Sequence, residues 1–177
     1  ALDRRQRQMC IRDRYSGVSW HHKILVIDNR FISERVNQIR NWNMEFIHGD
    51  ILDKDLISKY FSNADVVHHL AGITSVPKTK SESSKEIDEK IKLVAEEGTQ
   101  NILNTISNEC KLIFPSTHVV YEGISEVKKD IKENENTQPV LSYSSSKAAN
   151  EKQIKDSRKN YVILRLGSVY GYSNDTM

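Results

Sequence analysis

Lys111-Leu112-Ile113-Phe114-Pro115-Ser116-Thr117 is an apolar run that stops abruptly at a proline and two hydroxyl residues. A short, uninterrupted apolar run of this kind suits a strand covered on both faces, as in a parallel sheet, whereas a half-exposed strand would alternate. The same form recurs on either side of it. Upstream, Lys23-Ile24-Leu25-Val26-Ile27 ends in Asp28, Met44-Glu45-Phe46-Ile47-His48 ends in Gly49-Asp50, and Ala64-Asp65-Val66-Val67-His68-His69-Leu70 ends in Ala71-Gly72. Downstream, Tyr161-Val162-Ile163-Leu164-Arg165-Leu166 follows a helix-like stretch that starts near Ser142. Between these runs, Leu56, Ile57, Tyr60 and Phe61 fall at helical spacing behind Asp53, a residue type suited to capping. A longer helix is expected over residues 86–107, its stripe formed by Ile87, Ile91, Val94, Ala95, Ile102 and Leu103 and broken only by Gly98. Residues 124–140 are charged and polar with neither periodicity, and read as a surface loop ahead of the helix at Ser142. Strands alternating with helices give βαβ units, so an α/β fold with a doubly wound parallel sheet is expected.

Composition narrows the class. The chain has 177 residues, 37% of them apolar and 28% charged, with mean hydropathy −0.60, which is the range of one folded, soluble domain. Basic and acidic residues nearly balance, 26 against 24, so there is no basic face of the kind nucleic acid requires. The longest apolar runs, such as Val162-Ile163-Leu164, fall far short of the roughly 20 residues of a membrane span. Cys10 and Cys110 have neither metal-ligand spacing nor disulfide density, which suits a reducing cytoplasm. His21, His22, His68, His69 and His118 lack the convergent partners of a metal site and read as structural histidines. Residues 1–14, with five arginines and no apolar stripe, read as a non-native or disordered leader outside the fold.

Open α/β sheets bind ligands at the carboxyl ends of their strands, and the residues there are informative. Asp28 sits at one such end, where a carboxylate can accept both ribose hydroxyls of an adenosine and repel a 2′-phosphate, favouring NAD over NADP. Its alternative is a turn aspartate that merely ends a strand. Asp50 and Ile51, some 22 residues on, lie where an adenine can rest, with Gly49 keeping the backbone uncrowded.

Tyr143 and Lys147 are four residues apart and share a helix face at about 5–6 Å, so the ammonium is expected to lower the phenol's pKa. A free tyrosine titrates near about 10, and each unit of lowering corresponds to about 1.4 kcal/mol of phenolate stabilisation. The pair by itself is weak evidence, since an i, i+4 pair is more often a solvated helix face. Its order gives it weight: Asp28, Gly49-Asp50, Leu70-Ala71-Gly72, Pro115-Ser116-Thr117, Ser142-Tyr143-Ser144-Ser145-Ser146-Lys147, then Arg165-Leu166-Gly167-Ser168-Val169-Tyr170-Gly171.

With that order the chain resembles the extended short-chain dehydrogenase/reductase family, in its NAD-dependent epimerase/dehydratase branch, from about Lys23 to Tyr172. The resemblance implies a Rossmann-type sheet with NAD as cofactor, a nucleotide-sugar substrate and a homodimeric full-length protein. It implies that Asp28 and Asn29 contact the adenosine ribose, Asp50 and Ile51 the adenine, and Leu70, Ala71 and Gly72 the middle of the cofactor. Ser116, Tyr143 and Lys147 complete that cofactor set. Ser116-Thr117-His118-Val119-Val120-Tyr121 matches the family's Ser-Thr-x-x-Val-Tyr stretch, which implies that Thr117 hydrogen-bonds the reacting sugar oxygen and forms a triad with Tyr143 and Lys147. Taken alone, Ser116 and Thr117 also fit a plain strand-end turn. The implied chemistry is oxidation of a sugar alcohol to a transient keto sugar with Tyr143 as base.

The match has gaps. The family's Gly-x-x-Gly-x-x-Gly turn, which brings backbone amides to a pyrophosphate, is absent from the sequence, and Ile27-Asp28-Asn29-Arg30-Phe31 stands where glycines would follow a first strand. Residues 15–177 are therefore expected to be a partial NAD-binding domain, lacking the first βα unit and a C-terminal substrate domain. Ala95 replaces an asparagine common in the family, as does Ser168. Two alternatives stay open at this point: a reductase or dehydrogenase of the same superfamily acting on a ketone or alcohol, and a non-catalytic cofactor-binding member.

Overall fold

A computed structural model of the chain describes residues 23–74, 82, 84–126 and 130–168. The leader at residues 1–14, Cys10, Trp20, His21, His22 and the Tyr170-Gly171 pair lie outside the described residues. Among the described residues every strand pairing is parallel, as the continuous apolar runs led us to expect. β1 (Leu25–Asp28) leads through helix α1 (Ser33–Asn41) to β2 (Glu45–His48), and α2 (Lys54–Phe61) leads to β3 (Val66–His68). The long helix α3 (Lys85–Thr105) returns the chain to β4 (Lys111–Thr117), and α4 (Ser142–Asp156) precedes β5 (Asn160–Leu166). The strands form a β1-β2 pair and a β3-β4-β5 sheet, and among the described residues neither β1 nor β3 has a second strand partner.

Local chemistry places these elements. Asp53 caps α2 by accepting from the amides of Asp55 and Leu56 at 3.1 and 3.0 Å. Ser84 caps α3 by accepting from Ile87 N at 3.3 Å. Helix α1 was not expected: its sequence, Ser-Glu-Arg-Val-Asn-Gln-Ile-Arg-Asn, buries only Val36 fully, so it has too few apolar positions to show a period. Gly98 does not break α3. The helix passes through it because a Cβ there would lie 2.8 Å from Ile51 Cγ2, so the glycine lets the β2–α2 turn sit against the helix.

The core lies between the helices and β3-β4-β5. Ile57, Val67, Ile102, Leu103, Ile106, Leu112, Phe114 and Ile154 form one buried cluster. β4 extends through Pro115 to Thr117, beyond the expected end at Phe114. Pairing to β3 has stopped at Ile113, so over these last residues the ladder runs to β5 alone, where a residue without an N–H is tolerated. The register Pro115↔Leu164, Ser116↔Arg165 and Thr117↔Leu166 brings the ends of β4 and β5 to one level.

Candidate active site

The carboxyl ends of the strands carry two groups of polar residues. At β1 and β2, Asn29 Nδ2 donates to Asp50 Oδ2 at 2.9 Å, and Asp28 Oδ1 accepts from Arg30 N at 2.9 Å. Asp50 Oδ1 accepts from Leu52 N at 2.9 Å. The expected adenosine residues Asp28, Asn29 and Asp50 therefore meet in one small cluster. Ile51 is turned from it toward α3: its carbonyl accepts from Asn101 Nδ2 at 3.1 Å and its side chain covers Gly98.

The second group lines a cleft of about 210 Å³ whose walls include Leu70, Gly72, Pro115, Ser116, Thr117, His118, Tyr143, Lys147 and Ser168. All three members of the expected triad are among these residues, although they come from two elements far apart in sequence. Thr117 ends β4, and its Oγ1 accepts from Val119 N at 3.3 Å, which starts the 3-10 turn His118–Tyr121. His118 donates from Nδ1 to the Leu166 carbonyl at 3.2 Å, since a carbonyl can only accept. Lys147 donates to the Pro115 carbonyl at 3.0 Å, and its ammonium lies 4.6 Å from the Phe114 ring centroid and 6.0 Å from that of Tyr143.

The electrostatics differ from expectation at Tyr143. Burial holds its phenol above the ordinary tyrosine value, where the pair spacing alone led to an expected lowering. The reason lies in the lysine's position: its ammonium is drawn onto β4 and the Phe114 face, and burial lowers its own pKa to about 8. A lowered phenol requires further positive charge beside it.

Residues without an assigned role in the sequence surround this pair. The start of α4 is held by Glu122, whose Oε1 accepts from Val140 N at 2.8 Å, Leu141 N at 2.7 Å and the Ser144 hydroxyl. Burial works to raise that carboxyl, but these bonds outweigh it and its pKa is lowered. Glu151, one turn after Lys147 and 2% exposed, accepts from the Ser116 hydroxyl at 2.6 Å and from Arg165 Nε and Nη2 at 2.9 and 2.6 Å. Burial again acts to raise it, and the Arg165 and Ser116 bonds bring it below the usual carboxylate range. Ser116 thus lines the cleft while its hydroxyl is committed to Glu151. The signal for Glu151 was available, as a carboxylate four residues after Lys147 on the same helix face.

Behind the cleft, His69 contacts Thr99 Oγ1 through Nε2 at 2.8 Å and its ring packs 5.3 Å from Phe114. Asn150 of α4 donates to the same Thr99 oxygen and to the Ala95 carbonyl at 3.0 Å. Asn150 thus places a side-chain amide against the Ala95 backbone. No cluster of metal-ligating side chains occurs among the described residues, and no described helix is long and apolar enough to cross a membrane.

The family model for the NAD dependent epimerase/dehydratase family matches residues 12–177. The chain is 30% identical over 170 residues to a dTDP-D-glucose 4,6-dehydratase of Dictyostelium discoideum, covering 84% of this chain and 38% of that protein. It is 31% identical over 154 residues to a CDP-paratose 2-epimerase of Salmonella typhi, covering 73% and 44%. Among solved structures, the UDP-glucose 4-epimerase of Thermotoga maritima with UDP-glucose superposes with a TM-score of 0.72 at 24% identity, over 88% of this chain and 50% of that one, and shows the shared fold. The UDP-glucuronic acid 4-epimerase of Bacillus cereus in complex with NAD superposes with a TM-score of 0.69 at 26% identity, over 85% and 50%. The chain spans half or less of the length of these relatives. The fold is the Rossmann-type arrangement that the resemblance implied, and the chain belongs to the NAD-dependent epimerase/dehydratase family.

Proposed function

We propose that this chain carries the catalytic centre of an NAD-dependent epimerase or dehydratase acting on a nucleotide-linked sugar. The observation that carries the reading is the convergence of Thr117, Tyr143 and Lys147 on one cleft at the carboxyl ends of β4 and its neighbours. The residues present fit NAD. Asp28 offers a carboxylate acceptor to ribose hydroxyls, Asp50 is joined to that corner through Asn29 where an adenine can rest, and Gly72 borders open space, since a Cβ there would meet nothing within 4 Å. Lys147 has three donors, one of which goes to Pro115. Bound NAD supplies the hydride acceptor, so that a sugar alcohol becomes a transient keto sugar.

Tyr143 takes the proton of the reacting hydroxyl as its carbon is oxidised and returns it on reduction. Lys147, 6.0 Å from the Tyr143 ring, contributes part of the positive charge a phenolate needs there, and Thr117 orients the sugar oxygen by a hydrogen bond. Re-reduction on the other face gives an epimer, loss of water a dehydrated sugar, and release an oxidised product.

The test is Tyr143→Phe in the full-length protein carrying this chain, assayed with UDP-glucose, UDP-glucuronic acid and dTDP-D-glucose. Turnover is expected to fall by at least about 100-fold, the usual scale of a lost acid–base group, with the Kd for NAD nearly unchanged. Wild-type turnover in this variant overturns the reading.

A further inference from the structure

The face of α4 turned into the protein is unusual for a helix that must hold two catalytic side chains in place. Its fully buried residues are Ser144, Ser146, Asn150, Glu151 and Ile154, of which only Ile154 is a large apolar side chain. Small side chains interdigitate less with a neighbouring sheet, so packing alone sets the helix's register less firmly. Directional polar contacts are what remain to set its register. Tyr143, Lys147 and Glu151 follow one another at four-residue intervals and share a face. Lys147 donates to the Pro115 carbonyl at 3.0 Å, and Glu151 accepts from the Ser116 hydroxyl at 2.6 Å. Neighbouring turns of the helix thus hold neighbouring residues of β4, and the next residue of the strand is Thr117.

Glu151 is tied to a second strand as well. Arg165 of β5 meets it with Nε at 2.9 Å from Oε1 and Nη2 at 2.6 Å from Oε2, a two-point geometry that fixes angle as well as distance. The remaining arm of Arg165 donates to the Glu133 carbonyl at 2.9 Å and to the Tyr121 hydroxyl, and Tyr121 donates to the Lys132 carbonyl at 3.1 Å. Lys155, one turn further along α4, adds a bond to Oε2 at 3.3 Å. One buried carboxylate therefore joins α4, β4, β5 and the loop that delivers the chain to Tyr143. A buried ion pair gives little net stability relative to well-packed apolar residues, so its value here lies in geometry.

We propose that Glu151 is a positioning residue: through Ser116 and Arg165 it sets the register of α4 against β4 so that Tyr143 and Lys147 meet the sugar oxygen held by Thr117. The proposal rests on the catalytic reading above. It separates from a merely stabilising role because geometry, not folding free energy, is what the pair supplies.

The experiment compares Glu151→Gln, Ser116→Ala and the paired apolar variant Glu151→Met/Arg165→Met with wild type and Tyr143→Phe, all in the full-length protein. Readouts are the melting temperature, the Kd for NAD, kcat and KM with UDP-glucose and dTDP-D-glucose, and the titration of Tyr143 by carbon-13 tyrosine NMR with NAD present. In the paired variant the melting temperature and Kd are expected to stay near wild type while kcat falls about tenfold or more, as for a small displacement of reacting groups, and the Tyr143 titration moves. Ser116→Ala, a single lost hydroxyl, is expected to shift the same titration and lower kcat with little effect on KM. Folded variants with wild-type kcat and an unmoved Tyr143 titration overturn the proposal, and so does a Ser116→Ala titration identical to wild type should the Glu151 variants not fold. If Tyr143→Phe itself retains turnover, the catalytic reading fails instead, which keeps the two failures apart.

Discussion

His69 shows what a single side chain carries in this fold. It is 2% exposed, and burial first and the Lys147 charge second lower its pKa from 6.5 to about 3. In the folded protein it is a neutral ring between Thr99 and Phe114. The unfolded chain binds a proton at this position below about pH 6.5 and the folded chain only near pH 3, so between those values the unfolded state holds more protons. Stability is therefore expected to fall as pH drops from about 6.5 toward 3, and to be insensitive to this group above that window. Urea denaturation at pH 7 and pH 5 checks the point: His69→Asn should flatten the difference, and an unchanged slope would show that other groups carry it. Nothing in the sequence around His68-His69 distinguishes the two rings, because only the strand's placement buries one and exposes the other.

At the scale of elements, helices and strands were legible where the cause is local. Asp53, read as a cap, does cap its helix through contacts to residues two and three positions away, and the Tyr143–Lys147 interval follows from helical geometry. Where the cause is a neighbour in space, the reading changed. The strand expected over residues 64–70 is paired only at Val66–His68, because β4 offers it three partners. Gly98, read as an interruption of a stripe, is where α3 meets the turn carrying Ile51. Gly98→Ala is expected to destabilise the protein by about 1–3 kcal/mol through overpacking against Ile51. The same substitution in an Ile51→Ala background should cost much less, and equal penalties in the two backgrounds, measured by urea melts, would show that the helix does not lean on that side chain.

Across the whole molecule, the residues proposed for the adenosine end and for the chemistry occupy the carboxyl edge of the strands, as open α/β sheets arrange their sites. Neither group includes a glycine-rich turn that would bring backbone amides to a pyrophosphate, and the sequence contains no such turn. The 177-residue chain by itself is therefore expected to bind NAD weakly, and calorimetry giving a micromolar Kd would contradict this. The same measurement on a form that carries a glycine-rich first turn should recover tight binding.

The sequence by itself determined the α/β class and the parallel strands, because hydrophobic periodicity and capping act between residues close along the chain, and through its resemblance to a known family it pointed to that family and to the Thr117, Tyr143 and Lys147 set proposed for the chemistry. Only the tertiary structure decided that Ser116 serves Glu151, that Lys147 leans on Pro115 and that the Tyr143 phenol is raised by burial. Those outcomes depend on which groups lose water and which partners they meet across β4, α4 and β5, and desolvation and directional hydrogen bonds between distant segments leave no period in the sequence.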